Sequence, residues 1–443
     1  MNTPIADFVY NYNKSGFSRF HMPGHKGKEL LGPEEYDITE IDGADVLYSA
    51  DGIIDESENN ASSLFGTAHT FYSTEGSTLA IKAMLSLVCS ESDGRPYILA
   101  ARNVHKAFIY AAALIDFDIG WIFGEETDHL CKCTLTPEKV QESISLSPVK
   151  PTAVYLTSPD YLGNVADIKS IAEICDIYNI PLLVDNAHGA YLAFCKKNMH
   201  PIALGASMCC DSAHKTLPCL TGGAYLHISK KAERFCENAR RHLSLYASTS
   251  PSYLILQSLD LCNRYIDEKI RDDASNTSMK VRKLKSNLEK LGFLAFQNEP
   301  LKLTLDCNSY GYEGTEMHSQ LLKHKVCCEY YDRQYIVFMF SPFNSDEDFA
   351  KLYECLSRTE KREAVKPTLL DISQKNETAL PIRKAVFSKS KTVDIHCAEG
   401  KICADPSVSC PPAVPIAVSG EIITEEHIKA MEYYGIEKIS VVL

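Results

Sequence analysis

The chain lacks any long apolar run. A bilayer-spanning helix needs about 20 consecutive apolar residues, and the best candidate, 108–123, is interrupted by Asp116 and Asp118. No membrane partner is expected. Excess positive charge is also missing: 45 Lys and Arg stand against 58 Asp and Glu, for a net charge of −13. Electrostatic attraction to nucleic acid is therefore not expected. The first residues, Met1-Asn2-Thr3-Pro4-Ile5-Ala6-Asp7, have neither the basic nor the apolar stretch of a secretory leader, which predicts a cytoplasmic protein. Cysteine is plentiful, at 17 residues, yet no two are spaced C-x-x-C. There are adjacent pairs at Cys209-Cys210 and Cys327-Cys328, and one C-x-C at Cys131 and Cys133. Zinc spacing is absent, and the expectation is reduced, mostly buried thiols. His21 and His25 lie four apart, but Pro23-Gly24 between them rules out a helical metal pair. No metal is expected. Internal repeats and low-complexity tracts are missing too.

What is present fits a globular protein of two domains, with 45% hydrophobic and 23% charged residues. Residues 97–101, 153–157, 182–184 and 223–228 read as short buried strands, and 105–115 and 167–178 as helices. In the second helix Ile168, Ile171, Ala172 and Cys175 share one face. Strand, helix and strand in repetition predict an α/β domain on a mostly parallel sheet. Ligands of such sheets sit beyond the carboxyl ends of the strands. Residues 251–268 and 280–291 read as helices, the second ended by Gly292. The texture then changes: 301–305, 326–330 and 335–340 read as strands and 346–357 as an amphipathic helix. These patterns predict an N-terminal segment over 1–60, a large domain over 61–295 and a smaller C-terminal α+β domain over 296–443. The polar stretch 358–378 reads as a mobile connection.

Two segments carry the chemistry. Lys215 lies in Asp211-Ser212-Ala213-His214-Lys215-Thr216-Leu217-Pro218, thirty residues after Asp185 in Leu182-Leu183-Val184-Asp185-Asn186-Ala187-His188-Gly189. An ε-amine and an acid at the end of an apolar run are the pair that pyridoxal 5′-phosphate enzymes require. The amine holds the cofactor aldehyde as a Schiff base, and the carboxylate keeps the pyridine nitrogen protonated so that the ring accepts electrons. Most lysines are solvated surface groups, but Ser212, His214 and the apolar Leu217-Pro218 favour the buried role. Asp185 taken alone reads equally well as a helix cap. Ala187 is small, as a residue packed on a flat ring should be. His188 either meets the ring substituents, orients Asp185, or is a structural histidine. Upstream, Thr74, Gly76 and Ser77 in Phe71-Tyr72-Ser73-Thr74-Glu75-Gly76-Ser77-Thr78 precede a helix. Backbone N–H groups, hydroxyls and the helix dipole can cradle a phosphate there, although the same composition makes an ordinary cap. Ser212 and His214 can add phosphate contacts. His105, in Arg102-Asn103-Val104-His105-Lys106, is a candidate to stack on the ring or to cap the following helix.

Together these segments resemble the Orn/Lys/Arg decarboxylase family, the fold type I pyridoxal-phosphate enzymes of bacteria, in its short form. Further motifs that carry the resemblance are Arg19-Phe20-His21-Met22-Pro23-Gly24-His25-Lys26-Gly27, Leu64-Phe65-Gly66, Thr249-Ser250-Pro251-Ser252-Tyr253, Gly400-Lys401-Ile402-Cys403-Ala404-Asp405 and Pro411-Pro412-Ala413-Val414-Pro415. They run in order over nearly the whole chain. The resemblance implies that Lys215 carries the cofactor, Asp185 meets the pyridine nitrogen and His105 stacks on the ring. Thr74, Gly76, Ser77, Ser212 and His214 then line the phosphate. It also implies a homodimer with the site at the interface, so that Thr249 and Ser250 reach the partner's phosphate. His25, in the N-terminal loop, and Asp405 become the candidate substrate contacts. The chain departs from the family pattern near its end. Lys401 and Asp405 stand where an arginine and a glutamate are usual, and Cys410-Pro411-Pro412-Ala413-Val414-Pro415 replaces Tyr-Pro-Pro-Gly-Ile-Pro. The phosphate loop continues Ala80-Ile81 in place of Gly-Asn. The carboxylate of Asp405 would sit about one methylene back, roughly 1.5 Å, so the distal pocket is altered.

The reaction implied is α-decarboxylation of arginine, lysine or ornithine, feeding polyamine synthesis, with arginine favoured among short members. Two other readings stand beside it. One is an aminotransferase or other lyase on the same fold. The other is a catalytically silent paralogue that binds a partner, against which the intact set of Asp185, His188, His214 and Lys215 argues.

Overall fold

Seven short strands form the principal sheet: β1 (His69–Ser73), β2 (Tyr97–Ala101), β3 (Asp118–Ile122), β4 (Ala153–Thr157), β5 (Leu182–Asp185), β6 (Met208–Asp211) and β7 (Ala224–Ile228). Their order is β1-β7-β6-β5-β4-β2-β3. β2 and β3 run parallel, as do β5 and β6, whereas β7 is antiparallel to both its neighbours. Every residue of β5, β6 and β7 is buried. A strand covered on both faces has no solvent side to alternate with, so β5 is a continuous apolar run closed by Asp185. The computed structural model describes residues 1–124, 129–133, 135–296, 299–368, 370, 376–411 and 413–443.

Two compact units divide the chain. The first comprises Met1–Gly94, Thr152–Tyr155 and Ile168–Arg271, the second Arg95–Pro151, Leu156–Asp167 and Asp272–Leu443. In the first unit the helix Gly76–Ser90 follows β1 and is buried at most positions from Leu79 to Cys89. A helix apolar nearly all round belongs in a core. The N-terminal helix Pro4–Lys14 buries Ile5 and Val9 against the helices Ile53–Phe65 and Tyr253–Glu268. The second unit contains the antiparallel sheet β10-β11-β9-β8, built from β8 (Leu294–Ala295), β9 (Lys302–Asp306), β10 (Tyr330–Tyr331) and β11 (Tyr335–Met339). Leu303, Leu305, Ile336 and Phe338 of this sheet pack with Met317, Leu321, Leu352 and Leu356 from its helices. A C-terminal pair, β12 (Ser390–Asp394) and β13 (Lys438–Val442), lies in the same unit.

The sequence expectations meet this architecture unevenly. The helix expected over 346–357 is Asp346–Ser357, opened by a capping box between Ser345 and Asp348. The helix expected over 280–291 begins earlier, at Ile270. The strand expected over 326–330 is not formed before Tyr330. Residues 324–326 close the preceding helix instead. Lys325 is left-handed at φ 58°, and the Val326 amide donates to the Leu321 carbonyl. In the stretch 358–378, residues 369 and 371–375 lie outside the described residues, as does Pro412 of the closing motif. The described part is not a loose connection up to Val365. Its backbone amides at Arg362 and Val365 donate to Tyr310 and Asn308, and Tyr310 and Tyr312 donate to the Thr359 and Glu360 carbonyls. Among the described residues no helix is long and apolar enough to cross a membrane.

Candidate active site

β5 and β6 lie side by side with Asp185 in register with Cys210. Their carboxyl ends therefore deliver two turns to the same sheet edge: Asp185–Gly189 and Ser212–Thr216. Lys215 sits on the one-turn helix Ala213–Thr216, and its Nζ lies 3.0 Å from Nε2 of His188. Asp185 is 2% exposed. Its carboxylate accepts from the Ala187 amide at 3.1 Å, with the Tyr155 hydroxyl at 3.5 Å and the Cys210 thiol at 3.6 Å. Burial raises the Asp185 carboxyl above the ordinary range, against the opposing pull of the Lys215 charge and the Ala187 amide. A buried carboxylate so placed favours a further cation. A protonated pyridine nitrogen is one.

The second half of the site is built at the start of the helix Gly76–Ser90. Gly76 adopts φ 71°, and its amide donates to the Gly222 carbonyl at 2.7 Å. Gly222 runs so close to this loop that a Cβ on it would lie 2.7 Å from the Thr74 carbonyl oxygen. Ser212 donates to the Ser77 hydroxyl at 2.9 Å. Thr74, Gly76, Ser77 and Ser212 thus converge on a helix N-terminus, where backbone donors and hydroxyls favour an anion. Nδ1 of His214 donates to the Gly223 carbonyl at 2.9 Å. Its pKa is lowered, chiefly by burial. Nε2 is then the atom that can face a phosphate oxygen when it carries a proton. The amine, the buried acid and the anion cradle fit an aldehyde, a ring nitrogen and a phosphate. The donor set therefore suits pyridoxal 5′-phosphate.

The remaining residues singled out by sequence are placed as follows. Ala187 is buried in the turn after Asp185. Thr249 and Ser250 are exposed on a turn whose Ser248 amide donates to Glu75 at 2.6 Å, one residue before Gly76. His25 spends both ring nitrogens inside its own loop, on Asp37 at 3.2 Å and on the Gly27 amide at 3.0 Å. In the second unit, His105 caps the helix Lys106–Ile115, accepting from the Ala107 amide at 3.1 Å. Asp405, also in the second unit, accepts from the Ser407 amide and hydroxyl at 2.8 and 2.7 Å. Sequence reasoning missed Tyr155, Cys210 and Gly222. Their roles depend on cross-strand or cross-loop neighbours, and only the Gly222-Gly223 doublet advertised a close approach.

Comparison with known proteins bears on this arrangement. A family model described as the major domain of Orn/Lys/Arg decarboxylase matches residues 3–302. An arginine decarboxylase of Bacillus subtilis is 28% identical, covering 96% of this chain and 92% of its own. The uncharacterized protein YaaO of the same organism is also 28% identical, over 97% of this chain and 94% of its own. Among solved structures, the Francisella novicida lysine decarboxylase LdcF superposes with a TM-score of 0.82 at 18% identity, covering 100% of this chain and 81% of that one. At that identity the likeness is one of fold.

Proposed function

The chain belongs to the Orn/Lys/Arg decarboxylase family, and from that premise we propose that its substrate is arginine, split into CO2 and the corresponding amine. The coarser activity is decarboxylation of a basic amino acid, and the cofactor is pyridoxal 5′-phosphate. The observation that carries the reading is Lys215 Nζ at 3.0 Å from His188 Nε2, on the turn beside buried Asp185. Arginine is supported by the Bacillus subtilis arginine decarboxylase, which spans 96% of the chain.

Bound in this site, the cofactor supplies a conjugated, protonated ring that takes up the electron pair left when the substrate carboxylate departs as CO2. The residues do the rest. Lys215 would hold the cofactor aldehyde through its ε-amine. Asp185 holds the proton at the ring nitrogen, and its burial excludes the water that would weaken that ion pair. Lys215 Nζ then returns a proton to the substrate carbon, with His188 Nε2 placed to exchange that proton with it. Thr74, Gly76, Ser77, Ser212 and His214 bind the phosphate, and the family resemblance assigns His105 to the ring. The same resemblance assigns His25 and Asp405 to the substrate.

The working form is a homodimer in the cytoplasm, serving polyamine synthesis, with Thr249 and Ser250 reaching the partner's site. Exposed apolar side chains on the N-terminal segment support the dimer: Phe20 is 93% exposed and Leu31 87%. Purified enzyme supplied with cofactor and assayed on arginine, lysine and ornithine for both CO2 and amine tests the reading. Arginine should lead in kcat/KM by about tenfold or more. Keto acid and transferred amine without CO2, or a preference for lysine or ornithine, would contradict it.

A further inference from the structure

Behind the two active-site turns lies a buried polar group that the chemistry above does not use. Asp211, His200 and His227 are each at most 1% exposed. Oδ2 of Asp211 accepts from Nε2 of His200 at 3.0 Å and from Nε2 of His227 at 3.1 Å. Oδ1 accepts from the Asn186 side-chain amide at 2.6 Å. Nδ1 of His227 faces the Thr70 hydroxyl at 2.9 Å, which can donate to it. Nδ1 of His200 is buried with no hydrogen-bond partner. A proton there would be an unmatched buried donor, and it is Nε2 that donates to the carboxylate. Burial alone would raise the Asp211 carboxyl, but the two imidazoles outweigh it and hold it well below the ordinary range. Asp211 is thus an anion held by three N–H donors. The Cys209 thiol joins His200 and Asp211 within 4.8 Å. The imidazole-to-carboxylate hydrogen bonds already account for that closeness without an ion.

The connections of this anion are specific. Asn186 follows Asp185 directly, and Asp211 stands four residues before Lys215. The Asn186 backbone amide also donates to the Cys210 carbonyl at 2.9 Å. Room for the Asn186 side chain comes from Gly189, where a Cβ would lie 2.0 Å from Asn186 Oδ1. Side chains therefore join the two segments at Asn186 with Asp211 and at His188 with Lys215. We propose that Asp211 is a positioning residue of this active site, bracing the turn of Asp185 and His188 against the turn of Lys215. His200 and His227 serve as the donors that keep it ionised. The brace fixes the spacing between the ring-facing carboxylate and the amine, and the proposal rests on the roles assigned above to Asp185 and Lys215.

The test compares the wild-type holoenzyme with Asp211→Asn, Asn186→Ala and His200→Gln. It measures kcat and KM separately, the position of the visible cofactor band, and the rate at which apoenzyme captures added pyridoxal 5′-phosphate. Asp211→Asn should lower kcat by about 10- to 100-fold with KM changed much less, since small misplacements of reacting groups cost rate. It should also shift the band and slow cofactor capture. Asn186→Ala should move the same readouts less far. His200→Gln, whose amide can donate to the same oxygen, should retain more activity than Asp211→Asn. An Asp211→Asn enzyme with wild-type kcat, band and capture rate, altered only in melting temperature, would overturn the proposal. Where Asp211→Asn fails to fold, wild-type values for Asn186→Ala overturn it. A wild-type protein that forms no band at all refutes the reading of Lys215, not the brace alone.

Discussion

A carboxylate holds a partner cation most strongly where water is kept from it. Asp185 ends a fully buried strand, and Lys215, half-buried, sits on the neighbouring turn. Lys215→Ala should abolish the visible band near ~420 nm and cut CO2 release by about a thousandfold or more; absorbance and gas evolution on one sample check both. Ala413 adopts φ 71°, donates to the Cys410 carbonyl at 2.7 Å, and accepts from the Lys106 amide at 2.8 Å beside His105. A left-handed conformation costs a residue with a Cβ about 1–2 kcal/mol, partly offset in glycine by its looser unfolded chain. Ala413→Gly should therefore raise stability by about 0.5–1 kcal/mol in denaturant melts. A loss of stability would show that the turn is not strained. At this scale Lys215, Asp185 and the Ser73–Thr78 loop were legible because each lies in a contiguous motif. Asn186 and Asp211 stand inside those same motifs. Their bracing contact stayed invisible because it joins two turns across the β5–β6 pair.

Secondary-structure elements are positioned by contacts that sequence distance hides. The N-terminal helix Pro4–Lys14 has no capping side chain of its own at Thr3. Oδ2 of Asp260 fills that place, accepting from the Ile5 and Ala6 amides at 3.0 Å each. Asp260→Ala should cost about 1–2 kcal/mol, as lost caps do, and speed amide exchange over residues 4–14. Exchange unchanged in that helix would refute the capping role. Burial raises the Asp260 carboxyl to about 6. Because the folded value lies above the ordinary one, this group favours the folded state most below about pH 4 and loses that contribution as pH rises through about 6, up to about 3 kcal/mol. Asp260→Asn should remove that slope from the pH dependence of stability. Pattern reading found the apolar strands at 97–101, 153–157 and 182–184, where a buried run leaves no ambiguity. It missed β3, where Asp118 and Gly120 break the run, and β6, four residues too short to stand out. The strand expected at 326–330 was a helix ending in disguise, because Lys325 in the left-handed region announces itself only through backbone geometry.

For the whole molecule, the balance of charge and exposed apolar surface sets what it meets. A net charge of −13 opposes polyanions, while Phe17, Phe20, Leu30 and Leu31 are each more than 70% exposed on the N-terminal segment. In the proposed dimer a second copy covers them. Sedimentation should report twice the 49.3 kDa chain mass. Leu31→Glu should shift the protein toward monomer and lower activity in step, and an active monomer would refute the shared site. The chemistry depends on one covalent attachment, the cofactor on Lys215. Borohydride reduction of the holoenzyme followed by peptide mass spectrometry locates it. The phosphopyridoxyl group should appear on the peptide containing Lys215 and be lost in Lys215→Ala. A label on any other lysine, or none on a protein that nonetheless releases CO2 from arginine, would contradict it.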